Sequence, residues 1–168
     1  MSFALWLTGL PASGKSVFAR ELVRLLHARG VDVSVLESDV MCTQLTPFPR
    51  YDDADRDFFY SRLADFGVML VDRGRPVVFD ATANRREYRD AARRRIARFA
   101  EVFVDTPLEV CVARDPKGLY RSGMKIPYEP PLAPELVLPG DRGTPRESAA
   151  HILSLLDSRA WIRPSDTP

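Results

Sequence analysis

Gly9-Leu10-Pro11-Ala12-Ser13-Gly14-Lys15-Ser16 decides the fold of this chain, because it satisfies G-x-x-x-x-G-K-[ST] between an apolar run and a segment of helical period. The glycines let the backbone turn tightly, so that successive N–H groups face phosphate oxygens, and the helix that follows aims its positive end at the same place. Gly9, Ala12, Ser13, Gly14, Lys15, Ser16 and Val17 are therefore the expected nucleotide contacts. Lys15 is expected to neutralise the β- and γ-phosphates of a nucleoside triphosphate, and the Ser16 hydroxyl to ligate Mg²⁺.

Working outward from this loop, apolar runs of strand length alternate with longer helical segments, the pattern of βαβ units. Strands are expected at 3–8, 33–37, 76–80, 101–105 and 136–138, and helices at 16–29, 53–73 and 87–99. A last helix opens at Thr144-Pro145-Arg146-Glu147, a capping box with Pro at the first helical position, and runs to about Ser158. The fold class is α/β: a three-layer P-loop nucleoside triphosphate hydrolase fold with a mostly parallel five-stranded sheet flanked by helices. Residues 1–162 read as a single P-loop kinase domain and 163–168 as a loose polar tail. Between Asp115 and Pro139 stand five prolines and two glycines with no apolar period, which marks a lid at about 115–135.

Composition narrows the class of protein. With 168 residues, 24 basic against 23 acidic side chains and 45% apolar content, the chain can bury a core and carries no basic excess for collecting nucleic-acid phosphates. Cys42 and Cys111 belong to no metal-spaced cluster and read as reduced thiols of a cytoplasmic protein. The first apolar run leads straight into the glycine-rich loop, as a signal peptide would not, and no run reaches membrane-spanning length. Only three of the basic residues are lysines: Lys15, Lys117 and Lys125.

A P-loop by itself fits a kinase, a GTPase or an ATPase. The guanine motif N-K-x-D is absent, and Asp115-Pro116-Lys117-Gly118 fits D-x-x-G only formally. Small size and a long late loop favour a small-molecule kinase. Asp39 follows the second strand, where an α/β sheet presents ligands, and a carboxylate there can accept a hydroxyl proton or hold a Mg²⁺-bound water; it can also simply cap the next helix. Asp80 ends the third strand, a second position for a metal-organising carboxylate or a turn residue. In the arginine-rich segment that follows, Arg85 and Arg89 lie nearest the strand ends and are the expected contacts to an anionic substrate. His27 and His151 have no partner pattern and receive no role.

Gly9 to Ser16, Leu36-Glu37-Ser38-Asp39, Asp55-Arg56, the run Glu101 to Cys111, Arg114-Asp115-Pro116-Lys117-Gly118-Leu119-Tyr120 and Pro127-Tyr128-Glu129-Pro130-Pro131 together resemble the adenylylsulfate kinase family. The blocks occur in family order along nearly the whole chain. The resemblance implies Mg·ATP-dependent phosphorylation of the 3′-hydroxyl of adenylyl sulfate, a small-molecule nucleotide acceptor, with Lys15, Asp39 and Lys117 as catalytic residues. It also makes Arg56 a contact to the acceptor's anionic groups and places Tyr120, a further expected substrate contact, with Lys117 at the root of the lid. Members of the family are often dimeric, and no segment of this sequence identifies an interface.

The acceptor side departs from the family pattern. Glu37-Ser38-Asp39-Val40 and Cys42 stand where the family has Asp-Gly-Asp-Asn followed by an Arg. Phe58-Phe59 replaces a Glu-Asn pair, and the lid lacks the family's Phe-Thr-Gly-Ile-Asp stretch. Phe48, Tyr51, Phe58 or Phe59 is then the expected π-face for the acceptor's base, worth about 1–3 kcal/mol when stacked. Two further readings stay open: a related kinase acting on a different nucleotide-linked or anionic hydroxyl, and a nucleotide-binding regulatory protein or polynucleotide-end kinase.

Overall fold

The structure, a computed structural model, describes residues 2–46, 52–123 and 127–163. Five strands run parallel: β1 (Ala4–Thr8), β2 (Ser34–Glu37), β3 (Val77–Asp80), β4 (Phe99–Asp105) and β5 (Leu136–Pro139), in the order β2-β3-β1-β4-β5. β1 is fully buried and pairs on both sides, with Ala4 opposite Val77 and Phe99. A strand covered on both faces has no polar side to show, which is why Ala4-Leu5-Trp6-Leu7 reads as an unbroken apolar run.

Alternate residues of β1 feed two cores. Leu5 and Leu7 pack with Phe18, Leu22, Val102, Ile152 and Leu156, beneath α1 (Lys15–Ala28) and α6 (Pro145–Ser158). Ala4 and Trp6 pack with Phe59, Leu63, Phe79 and Tyr88, beneath α3 (Asp53–Asp72) and α4 (Arg86–Arg93). The three layers are complete with helices on both faces of the sheet. Because β3 and β4 leave β1 in opposite directions, the chain opens a crevice at the carboxyl ends of these strands, the place where open α/β sheets bind ligands.

Two short helices escape a reading by period: α2 (Ser38–Leu45) starts directly after β2, and α5 (Leu108–Arg114) follows Pro107. Eight and seven residues are too few to display the repeat that marks a longer helix. The helix expected at 87–99 ends at Arg93, because Phe99 already belongs to β4 and the chain must turn between them. The capping box at Thr144 forms as expected, with the Thr144 side chain and Glu147 bonding reciprocally across the first turn. Between Asp115 and Glu135 the described residues form no helix or strand.

Candidate active site

The loop expected to hold phosphate wraps the carboxyl end of β1. Its backbone visits the left-handed region at Gly9 (φ +154°), Ala12 (φ +63°) and Gly14 (φ +109°). A Cβ on Gly9 would come within 2.5 Å of the Val104 carbonyl oxygen, so this position tolerates only glycine. Lys15 opens α1 and turns back into the loop, donating to the carbonyls of Gly9 (3.0 Å) and Leu10 (2.9 Å). Burial pushes its ammonium down to about 8, with the Asp80 charge acting against that shift. The loop, Val17, Arg114, Lys117 and the turn from Gly140 to Pro145 line a cleft of about 520 Å³.

Asp39 and Asp80 both line this cleft, together with Glu37, Asp115 and Asp141. Asp80 is 4% exposed at the end of β3, and its Oδ2 has no hydrogen-bond partner. Burial raises its carboxyl above the usual range, opposed by the Ser16 hydroxyl bonded to it and by Lys15. Asp39, in the first turn of α2, is exposed and pairs with Lys117. Glu37 occupies the N-cap position of that helix without a side-chain cap bond, and Asp39 lies inside the first turn rather than at the cap.

A second cleft of about 200 Å³ adjoins the first and shares Ser38 and Asp39 with it. Its other walls are Cys42, Thr46, Asp52, Asp55, Arg56, Phe59 and Tyr60. Arg56 is also bonded to Asp53, at 3.3 Å. Phe59 is buried and meets Tyr60 edge-on, whereas Phe58 is 53% exposed beneath the Arg62 guanidinium and lines neither cleft. Phe48, Tyr51 and Lys125 lie outside the described residues.

Three expected contacts sit elsewhere. Arg85 lines neither cleft and is engaged by Asp53 (3.3 Å) and Asp57 (3.2 Å). Arg89 does not face a ligand; it is 1% exposed and pairs with Glu101. Seven arginines crowd 85–98 in sequence, and periodicity alone does not tell which one turns inward. Tyr120 lines neither cleft and donates its hydroxyl to the Pro11 carbonyl at 2.9 Å, so it braces the phosphate loop from below.

The whole crevice can therefore hold a nucleoside triphosphate beside a smaller partner, with one carboxylate at the junction. Residues 1–139 match the family model for adenylylsulphate kinase. The chain belongs to that family. An adenylyl-sulfate kinase of Microcystis aeruginosa is 36% identical over 168 residues, covering 94% of this chain and 93% of that one. A bifunctional enzyme CysN/CysC of Xylella fastidiosa is 40% identical over 164 residues; these cover 90% of this chain but only 26% of that longer protein. The structure of the Mycobacterium tuberculosis APS kinase CysC in complex with AMPPNP and APS superposes with a TM-score of 0.85 at 36% identity, covering 93% of this chain and 98% of that chain.

Sequence reasoning missed several lining groups. Gly140 packs so closely on the phosphate loop that a Cβ would lie 2.2 Å from the Ser13 carbonyl oxygen and 1.9 Å from the Thr106 hydroxyl. Arg114 bridges the same two segments, donating to the Gly140 carbonyl at 2.7 Å. Tyr60 accepts from the Ala83 N–H at 3.0 Å across 23 residues of sequence. None of these carries a local pattern. Among the described residues no group of His, Cys, Asp and Glu forms a metal cluster, both cysteines are free, and no helix is long and apolar enough to cross a membrane.

Proposed function

We propose that this protein transfers the γ-phosphoryl group of ATP to the 3′-hydroxyl of adenylyl sulfate. The observation that carries the reading is the shared Asp39: a phosphate-loop cleft and a smaller cleft meet at one exposed carboxylate. Phosphoryl transfer asks little covalent chemistry of a protein and depends on positioning and charge. A carboxylate between donor and acceptor can accept the hydroxyl proton as the phosphoryl group leaves ATP for that oxygen. The relatives at 36–40% identity favour adenylyl sulfate over a different nucleotide-linked or anionic hydroxyl.

The resting contacts suggest how the site works. Lys15 gives its ammonium to loop carbonyls when the cleft holds no anion, and those bonds exchange for the β- and γ-phosphates. Lys117 neutralises Asp39 until nucleotide arrives, then turns toward the transferring phosphate. Ser16 and Asp80 fit a divalent cation, since Asp80 offers a buried oxygen that no protein donor satisfies. Mg²⁺ held there, with Asp39 reaching it through water, would supply charge neutralisation along the phosphates. Phe59 and Arg56 face the acceptor as π-surface and cation. Residues 1–162 act as one kinase domain with 115–135 as its lid, working in the cytoplasm where Mg·ATP is abundant.

A coupled ADP-release assay with a panel of acceptors tests this. ADP release that depends on adenylyl sulfate is the expected result. Turnover only with another hydroxyl compound would sink the acceptor assignment, and tight ATP binding with no turnover would point to a regulatory protein.

A further inference from the structure

The loop that leaves β3 lines the larger cleft at Thr82 and is bonded to a wall of the smaller one, and every one of its carbonyls is claimed. Ala81 accepts from the Trp6 indole at 3.0 Å, and Thr82 from the Thr8 hydroxyl at 2.7 Å. The Ala83 carbonyl accepts from Arg89, and the Asn84 carbonyl from the Glu129 N–H at 2.8 Å. Ala83 itself holds φ +44°, a conformation an alanine keeps only where its surroundings over-determine it. Its N–H donates to Tyr60, a wall of the smaller cleft, while Thr82 lines the larger one.

Arg89 ties this loop to β4 and to the segment at Tyr128 and Glu129. Its Nε donates to Glu101 at 2.5 Å, one terminal nitrogen to Ala83, and the other to the Glu129 carbonyl at 2.7 Å. Its guanidinium also lies 5.6 Å from the Tyr128 ring centre, and the Tyr128 hydroxyl bonds Thr8 at 2.9 Å. Burying such a charge is costly, and an apolar side chain of similar volume would stabilise a core as well or better. Packing alone does not require a fork that reaches partners 6 and 40 residues away. The planar guanidinium does what no other side chain can, because its donors are fixed in three directions.

We propose that Arg89 is a positioning residue for the acceptor: held by Glu101, it locks the loop 81–84 to the segment at Tyr128 and Glu129, and thereby sets the Tyr60 wall of the smaller cleft. The phosphate loop meets this lock only through Thr8 and Thr82, and β1, which carries it, is also paired with β3 and β4 through the sheet. The kinetic arm of the test rests on the acceptor reading above; the exchange arm does not.

In Arg89→Lys, a cation remains for Glu101 but cannot reach three partners. The variant is expected to raise KM for adenylyl sulfate about tenfold and leave that for ATP within about twofold. Hydrogen–deuterium exchange should quicken about tenfold in peptides covering 81–86 and 127–131 and stay unchanged in β1. Glu129→Ala, on a half-exposed side chain whose carboxylate accepts from the Arg86 N–H at 2.8 Å, gives a milder version without a buried charge defect. A simple structural ion pair predicts that Lys restores both readouts, and that result would overturn the proposal, as would exchange rising equally in every strand. If the wild type ignores adenylyl sulfate while the two peptides behave as expected, the lock stands and the acceptor assignment falls.

Discussion

Around Lys15 the protein offers a ligand mostly backbone, whereas around Arg56 it offers side chains. The donor cleft is a run of consecutive N–H groups, three left-handed residues and the start of one helix, closed from outside by Gly140. The smaller cleft, proposed for the acceptor, is assembled from α2 and α3 and carries three carboxylates, Asp39, Asp52 and Asp55, beside Arg56. Backbone geometry specifies a phosphate without regard to what is attached to it. A cleft of side chains specifies a particular partner and changes with few substitutions.

The sharpest way to break the comparison is Lys15→Ala. If the donor half is an electrostatic cradle, removing its buried cation should lower kcat by about 10³-fold or more, measured by ADP release at saturating substrates. A loss under tenfold would mean that the backbone dipoles and the remaining cations, Arg114 and Lys117, suffice for the phosphates. Next come the two carboxylates. Asp39→Asn should lower kcat about 10²-fold with KM for ATP nearly unchanged, the signature of lost proton transfer. Asp80→Asn should instead raise the Mg²⁺ concentration needed for half-maximal rate. Near-full turnover in Asp39→Asn would hand the proton to Asp80 and remove the junction between the halves.

A smaller effect is expected at Gly140→Ala. The added Cβ would press on the Ser13 carbonyl at 2.2 Å, so the outer wall must back away from the phosphate loop. The Kd for an ATP analogue should rise about tenfold, or about 1.4 kcal/mol, in calorimetry, while KM for the acceptor holds. An unchanged Kd would show that the wall takes no part in nucleotide binding.

The same difference in material explains what could be read in advance. The phosphate loop, the five parallel strands and the capped last helix are local patterns, and each appears where composition and period put it. Asp39 and Lys117, 78 residues apart, were legible as separate candidates, but only folding brings them into contact. Arg85 and Arg89 look interchangeable in a row of arginines, yet one is engaged by surface carboxylates and the other is buried against Glu101. The inward one is selected by a carboxylate on the neighbouring strand, and no property of the helix's own sequence encodes that partner. The Tyr120 contact is equally hidden, because the carbonyl it braces lies 109 residues away.

The smallest expected effect tests whether the acceptor half's supports are independent of the donor half. Glu135 receives two bonds from Arg93, at 2.6 and 2.9 Å, and one from the Glu101 N–H at 2.6 Å, next to the Arg89–Glu101 pair. Burial alone would push its carboxyl up, but the Arg93 and Glu101 donors outweigh that and hold it below its ordinary 4.5. A depressed folded value means the folded state binds fewer protons than the unfolded chain, so the stabilisation is complete above about pH 4.5 and fades as pH falls through the folded value. Glu135→Gln should therefore cost about 1–2 kcal/mol in urea unfolding at pH 7. Its gap from the wild type should close as the titration is carried below pH 4.5. Calorimetry on the same variant should give the wild-type Kd for the ATP analogue. A weakened nucleotide affinity would mean that strain crosses the sheet from one half to the other, and the division drawn between backbone and side-chain recognition would not hold.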